Sequence, residues 1–324
     1  MPQPLSAASP LTLAVTLGDP AGIGPEVATA AARHFSDHAP DLRLILVGPS
    51  GTVASGCAAE FRDVGAWSDS GDAVLRGTLA SRAIEAAVRL ALAGHVDAMV
   101  TGPIDKAALH AAGRRFPGHT EMLAALSGAG EVSMMMCAEE TLLGGPLRVV
   151  LATTHIPLAE VPRRVTTDLL IGQTRIVDVG LRRGWAMENP RIALCAFNPH
   201  ASDGGLFGDE EARVYAPALD ALRSAGVDAR GPYPADTVFL RAARGEFDAV
   251  IAPYHDVGMA AFKTACFGRG VNVTLGLPFV RTSPDHGTAR DIVGTGRADP
   301  SSMIAAIELA ARLALRFRPS GVVA

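Results

Sequence analysis

Aromatic residues make up only 5% of this 324-residue chain, and cysteines number four. So few aromatics disfavour an aromatic-rich binding surface. Cys57, Cys137, Cys195 and Cys266 lie far apart and form no C-x-x-C pair, so buried free thiols are expected. No run of Lys or Arg occurs, and a net charge of −4 with both signs interspersed makes no positive field for a polyanion. Nucleic acid is therefore not an expected partner. No apolar run reaches the ~20 residues of a membrane span. The N-terminal stretch has no basic segment ahead of its short apolar run and does not read as a signal peptide. A cytoplasmic location is expected. Internal repeats, low-complexity tracts and coiled-coil heptads are also missing.

What is present fits a globular α/β enzyme: 48% hydrophobic and 19% charged residues, with many Ala and Gly. The length allows one large or two medium domains. Strand-like apolar runs recur at 11–17, 43–47, 98–101, 132–137, 147–152, 191–196, 249–252 and 271–274. Between most of them lie segments of helical period, at 25–35, 79–93, 104–112, 120–126, 166–183, 210–225, 235–243 and 301–315. This alternation predicts a mostly parallel sheet covered by helices on both faces. Asp209 and Asp299 are candidate N-caps, and Gly226 ends a helix. The segment 50–77 is the most linker-like and reads as a surface excursion. EETLLGGP, 139–146, reads as an exposed hairpin turn near which two lobes, 1–140 and 141–324, are expected to divide a single catalytic unit.

Three histidines share one local setting. His155 in LATTHIPL, His200 in AFNPHASDGG and His255 in VIAPYHDVG each follow a strand-like run and open a Gly- or Pro-marked turn. Each alone could be a satisfied polar residue at a strand end. Together they could converge at the carboxyl edge of a sheet, where open α/β folds bind ligands, as three imidazoles around a divalent metal with one open position.

GDPAGIGPE, Gly18 to Glu26, joins a strand to a helix and breaks the G-x-G-x-x-G spacing of dinucleotide folds. It is either a tight turn or an anion-facing loop. In TGPIDKAALHAAGRRFPGHTE, Lys106, His119 and Thr120 suit the gripping of a phosphate or carboxylate, although Lys106 could equally be a solvated helix residue. Lys263, Arg269 and Arg281 supply further cations, and Asn272 and Thr274 are polar groups on an otherwise apolar strand. DHGTARDI contains Gly287, which would let backbone approach a nucleotide. Asp236, at a helix start, either caps that helix or stands by the metal as fourth ligand or proton acceptor.

From VTLGDPAGIGPEV near the start to DHGTARDIVGTGRAD near the end, the chain resembles the 4-hydroxythreonine-4-phosphate dehydrogenases of vitamin B6 biosynthesis. The resemblance implies a three-layer α/β/α fold with two subdomains and a central cleft, similar to isocitrate and isopropylmalate dehydrogenases. It places the metal ligands on His155, His200 and His255, in a site shared across a homodimer interface and holding Zn, Mg or Co. It places substrate contacts on His119, Thr120, Lys263, Asn272 and Arg281. DHGTARDI resembles the adenosine loop of the isocitrate-type enzymes and so assigns NAD or NADP to His286, Gly287 and Asp291.

The implied reaction is oxidation of 4-phosphooxy-L-threonine to a β-keto acid that decarboxylates to 3-amino-2-oxopropyl phosphate, with Asp236 or Lys106 accepting the proton. Two departures bear on the pocket. The family commonly has Gly-Glu where this chain has Ser202 and Asp203, and glutamine where it has Val257. They keep threonate or erythronate 4-phosphate, or an aromatic cis-dihydrodiol, open as alternative substrates. Two other classes compete: a metal-dependent hydrolase, and a non-catalytic sugar-phosphate sensor that would not need all three histidines.

Overall fold

Strand β1 (Leu11–Thr16) is buried on both sides: Leu13, Ala14 and Val15 are all inaccessible, although alternate residues face opposite ways. Such a strand needs cover on both faces, which parallel α/β sheets provide. The computed structural model describes residues 10–52, 59–68, 71–266, 268 and 270–317; Cys57, Arg269 and residues 1–9 lie outside the described residues. The chain divides into two compact units. One ends at Arg115 and resumes at Gly287, and the other is Phe116–His286.

In the first unit β1 pairs in parallel with β2 (Leu42–Ser50) and β4 (Ala98–Thr101), and β2 pairs in parallel with β3 (Glu60–Ala66), giving the order β3-β2-β1-β4. Helix α1 (Gly24–His38) and the C-terminal helix Ser301–Phe317 pack on each other and on these strands. Helices α2 (Ala73–Leu92) and α3 (Lys106–Ala111) form the other pair. Asp72 caps α2 through Val74 N, and Asp105 caps α3 through Ala107 N and Ala108 N. The Asp299 carboxylate accepts from Ser301 N at the start of the last helix, as expected of an N-cap.

Beneath α2 the buried guanidinium of Arg76 meets Asp105 at 2.6 Å and Asp19 at 3.7 Å. Burial works against the ionised Asp105, but the Ala108 and Ala107 N–H groups and Arg76 outweigh it and hold its carboxyl below the ordinary 3.8. A depressed carboxyl pKa stabilises the fold above its unfolded value, and that contribution disappears as pH falls through the folded value. Asp105→Asn should therefore cost about 1–3 kcal/mol near neutral pH and lose little more on acidification below about pH 4. Urea midpoints measured across that range check this.

The second unit has the strand order β11-β10-β5-β6-β9-β7-β8. Its strands are β5 (Ser133–Ala138), β6 (Leu147–Leu151), β7 (Ile192–Cys195), β8 (Ala229–Tyr233), β9 (Ala249–Ala252), β10 (Val271–Leu275) and β11 (Val280–Pro284). From β11 to β6 neighbours are antiparallel, and from β6 to β8 they are parallel. Its helices are α4 (His119–Ser127), α5 (Val161–Arg164), α6 (Thr167–Trp185), α7 (Ala216–Ser224), α8 (Ala235–Ala243) and α9 (His255–Cys266). Helices α8 and α9 pack on the β6 and β9 region, and α6 packs on β5, β9 and β10. At Gly258 an added Cβ would lie 2.6 Å from Leu151 Cδ2, so the missing side chain lets α9 settle onto the sheet.

The α/β class and most strands follow the sequence pattern, with corrections. The expected hairpin at 139–146 connects the antiparallel pair β5 and β6 inside the second unit, so the division between units does not fall there. The sheet is more mixed than the alternation suggests. The 50–77 segment contains an edge strand, β3. The helix expected over 210–225 contains a π-helical turn, Glu211–Tyr215, and Asp209 stands just before its first residue, its carbonyl accepting from Arg213 N at 2.8 Å. Asp236 does not cap α8: Pro234 occupies that position and Asp236 lies in the first turn. Gly226 follows α7 at φ +76°, as a helix stop should.

Candidate active site

Strands β6, β9, β7 and β8 are consecutive and parallel, so the segments leaving their carboxyl ends emerge along one edge. These segments carry His155, His255, His200 and Asp236 respectively. The β6 and β9 exits are stitched together: Ala152 N donates to Ala252 O, and Thr153 donates through both N and Oγ1 to Pro253 O. The rings of His155 and His255 consequently lie 5.4 Å apart, centroid to centroid. Two imidazoles on one tetrahedral ion, with nitrogens about 2 Å from it, have centroids roughly 5 Å apart, so this pair fits a divalent metal. The Asp256 carboxylate lies 2.7 Å from His255 Nδ1. An Nδ1–H donated there leaves Nε2 as the basic, metal-facing nitrogen.

His200 is exposed in a different kind of segment. From His200 to Gly204 five successive residues have φ between +44° and +67°, a turn of left-handed helix. Left-handed helical geometry costs about 1–2 kcal/mol per non-glycine residue, so surrounding contacts must impose it. The Glu211 carboxylate does this at the entry to the turn: Oε1 accepts from Phe197 N at 2.9 Å and Asn198 N at 2.7 Å, and Oε2 accepts from Asn198 Nδ2 at 2.8 Å. Ser202, buried within the turn at φ +65°, stands where glycine would be unstrained. Ser202→Gly should raise stability by about 0.5–1 kcal/mol, the relieved strain less the added freedom of the unfolded chain. Denaturant midpoints read this directly. A single chain brings two of the three expected ligands together: among the described residues no group of three or more His, Cys, Asp and Glu side chains is placed to hold one ion.

Beside α9 the sheet face turns polar. Asn272 pairs with Ser283, and Thr274 with Arg281, across β10 and β11, which puts all four side chains on one face. Arg281 is 1% exposed, donates through Nη1 to Thr274 Oγ1 at 2.8 Å, and has its pKa pushed down to about 9 by burial. A guanidinium kept charged in such a place favours an anion. Asn272 Oδ1 is buried without a hydrogen-bond partner among the described residues. Lys263, exposed on α9, reaches Asp285 at 3.4 Å. Burial raises the Asp285 pKa against the pull of Lys263, His286 and His255. His119 and Thr120 form the half-buried first turn of α4, behind Gly118.

In the first unit Lys106 is exposed at the start of α3. The loop containing Gly287 and Asp291 folds against the GDPAGIGPE segment: Ile23 N donates to Thr288 O, and Gly294 N to Glu26 Oε1. Gly18, at φ +75°, and Gly22 pack closely on neighbouring backbone: an added Cβ would lie 2.2 Å from Pro103 O and 2.9 Å from Thr288 O. At Gly287, by contrast, nothing lies within 4 Å of where a Cβ would be, leaving open space against the backbone. His286 is half-buried, and Asp291 is exposed in a short 3-10 turn.

Sequence reasoning passed over Asp285 and Glu211. Asp285 lies in a motif that was singled out, but its neighbours Lys263 and His255 come from another segment. Glu211 carries no local signal, since its partners lie more than ten residues earlier.

Residues 64–310 match the family model described as pyridoxal phosphate biosynthetic protein PdxA. A 4-hydroxythreonine-4-phosphate dehydrogenase from Geobacter metallireducens is 45% identical, over 95% of this chain and 97% of that protein. The crystal structure of a 4-hydroxythreonine-4-phosphate dehydrogenase from Klebsiella pneumoniae superposes with a TM-score of 0.82 at 38% identity, covering 94% of this chain and 99% of the other. A terephthalate 1,2-cis-dihydrodiol dehydrogenase from Burkholderia xenovorans gives a TM-score of 0.66 at 28% identity, covering 93% and 98%. A β-decarboxylating dehydrogenase from Thermococcus kodakarensis, at a TM-score of 0.54 and 15% identity over 91% of this chain and 80% of the other, shares the fold alone.

Proposed function

Because the chain belongs to the PdxA family, we propose that it is a metal-dependent, NAD- or NADP-linked dehydrogenase that oxidises 4-phosphooxy-L-threonine. The observation that carries this reading is the buried Arg281 guanidinium on a polar sheet face within the same unit as the paired His155 and His255 rings. That combination suits a substrate with an anionic group to be gripped and a hydroxyl to be activated.

His155, His255 and His200 would hold the divalent ion, Zn, Mg or Co, in a site shared across a homodimer interface. Leu158, beyond His155, and Leu206 and Phe207, beyond His200, are exposed large apolar side chains suited to such a contact. A metal held there would lower the pKa of the substrate hydroxyl, and a bound nicotinamide would supply the hydride acceptor. Arg281, Lys263, His119 and Thr120 grip the phosphate by charge-assisted hydrogen bonds, and Asn272 accepts from a substrate donor. Asp236, in the first turn of α8, takes the hydroxyl proton; β8, which leads to it, pairs with β7, which leads to His200. His286, Gly287 and Asp291 receive the nucleotide, the open side of Gly287 allowing close approach. The substrate loses a hydride and a proton to become a β-keto acid, which releases carbon dioxide and takes up a proton to give 3-amino-2-oxopropyl phosphate.

The test is a rise in the near-ultraviolet absorbance of reduced nicotinamide with 4-phosphooxy-L-threonine, metal and NAD or NADP. Stronger activity with threonate or erythronate 4-phosphate, or with an aromatic cis-dihydrodiol, would reassign the substrate. Metal-dependent phosphate release without nicotinamide reduction would make the protein a hydrolase.

A further inference from the structure

The geometry points to Glu211 as the positioning residue of the metal site, acting through the backbone that presents His200. This inference rests on the reading of His200 as a metal ligand. Glu211 is 6% exposed, and its carboxylate receives three hydrogen bonds from Phe197 and Asn198, the residues that lead from β7 into the left-handed turn. Glu210 adds a second carboxylate, accepting from Asn198 Nδ2 at 2.7 Å. The ends of the turn are closed by its own backbone: Ala201 N donates to Asn198 O and Phe207 N to Ser202 O, both at 3.2 Å, and Leu206 N donates to Asp203 O and Ser202 O. At its entry one buried side chain, Glu211, fixes two successive peptide N–H groups.

The π-helical turn at Glu211–Tyr215 is part of the same device. A π turn carries one residue more than an α turn and occurs mostly singly, frequently at functional sites, and Glu211 is its first side chain. Here that side chain is the clamp. Tyr215, at the other end of the turn, is fully buried and anchors the turn in the core. The clamp thus joins a rigid element to the loop whose imidazole must be aimed, the role usually filled by a carboxylate on the ligand ring itself.

The test uses the full chain stripped of metal and titrated with cobalt(II), whose visible absorption reports ligation, in wild type, H200A, E211A and E211Q. For E211A we expect cobalt binding about 10- to 100-fold weaker than wild type, with an unchanged KM for the nicotinamide nucleotide. E211Q keeps an acceptor for the two backbone N–H groups and should bind within about threefold of wild type. Should E211A fail to fold, E211D carries the same test, since a carboxylate withdrawn by one methylene cannot reach both N–H groups. Cobalt binding by folded E211A or E211D equal to wild type, with H200A impaired, overturns the clamp and leaves the metal site standing. Cobalt binding by H200A equal to wild type removes the metal reading itself.

Discussion

His200→Ala is expected to weaken metal binding by about a thousandfold, roughly 4 kcal/mol, and to abolish turnover. An imidazole lost from a three-ligand site leaves two ligands, too few for a divalent ion with one position open to substrate. The fold should be unaffected, because His200 is exposed; the stability change should stay within about 0.5 kcal/mol. Metal content after dialysis, steady-state rates and a denaturant midpoint measured together separate loss of the site from loss of the fold. Full activity in metal-free protein would remove the metal from the account.

Arg281→Ala is the second large effect. Replacing a buried guanidinium that faces an anion costs about 2–4 kcal/mol of binding, or roughly a 30- to 1,000-fold rise in KM for a phosphorylated substrate. The KM for the nicotinamide nucleotide should hardly move. Arg281→Lys restores the charge but not the planar fork, so only part of the loss should return. With the Arg281 pKa pushed down to about 9, the cation is present at neutral pH, and phosphate binding should weaken as pH rises past about 9. A KM indifferent to Arg281 would instead indicate a non-phosphorylated substrate such as a dihydrodiol.

The sequence disclosed the fold class because most strands are apolar runs separated by helical periods, and β4 and β9 match their expected bounds. It hid the elements nearest the site. Strand β11 reads as polar, with Arg281, Thr282 and Ser283 in succession, yet all three are buried; polarity that serves a ligand imitates a loop. Helix α9 opens with His255 and contains Gly258, so its pattern resembled a strand end and turn. Edge strand β3 is largely exposed and offers no apolar alternation. The pairing of His155 with His255 was legible only as a shared strand-end context. Its physical basis, the adjacency of β6 and β9, is a property of topology. Glu211 was invisible for the same reason, and so was Asp285: each acts on residues that the fold, not the chain, makes neighbours.

The central claim is that one ion is gripped by His155, His255 and His200. Crystals grown with zinc or cobalt, with diffraction recorded across the metal absorption edge, test it most directly. The account predicts one anomalous peak per chain, about 2 Å from a nitrogen of His155, of His255 and of a His200, whether from the same chain or its partner. A peak held by other residues, or rings of His155 and His255 that stay unligated in metal-loaded protein, would contradict it.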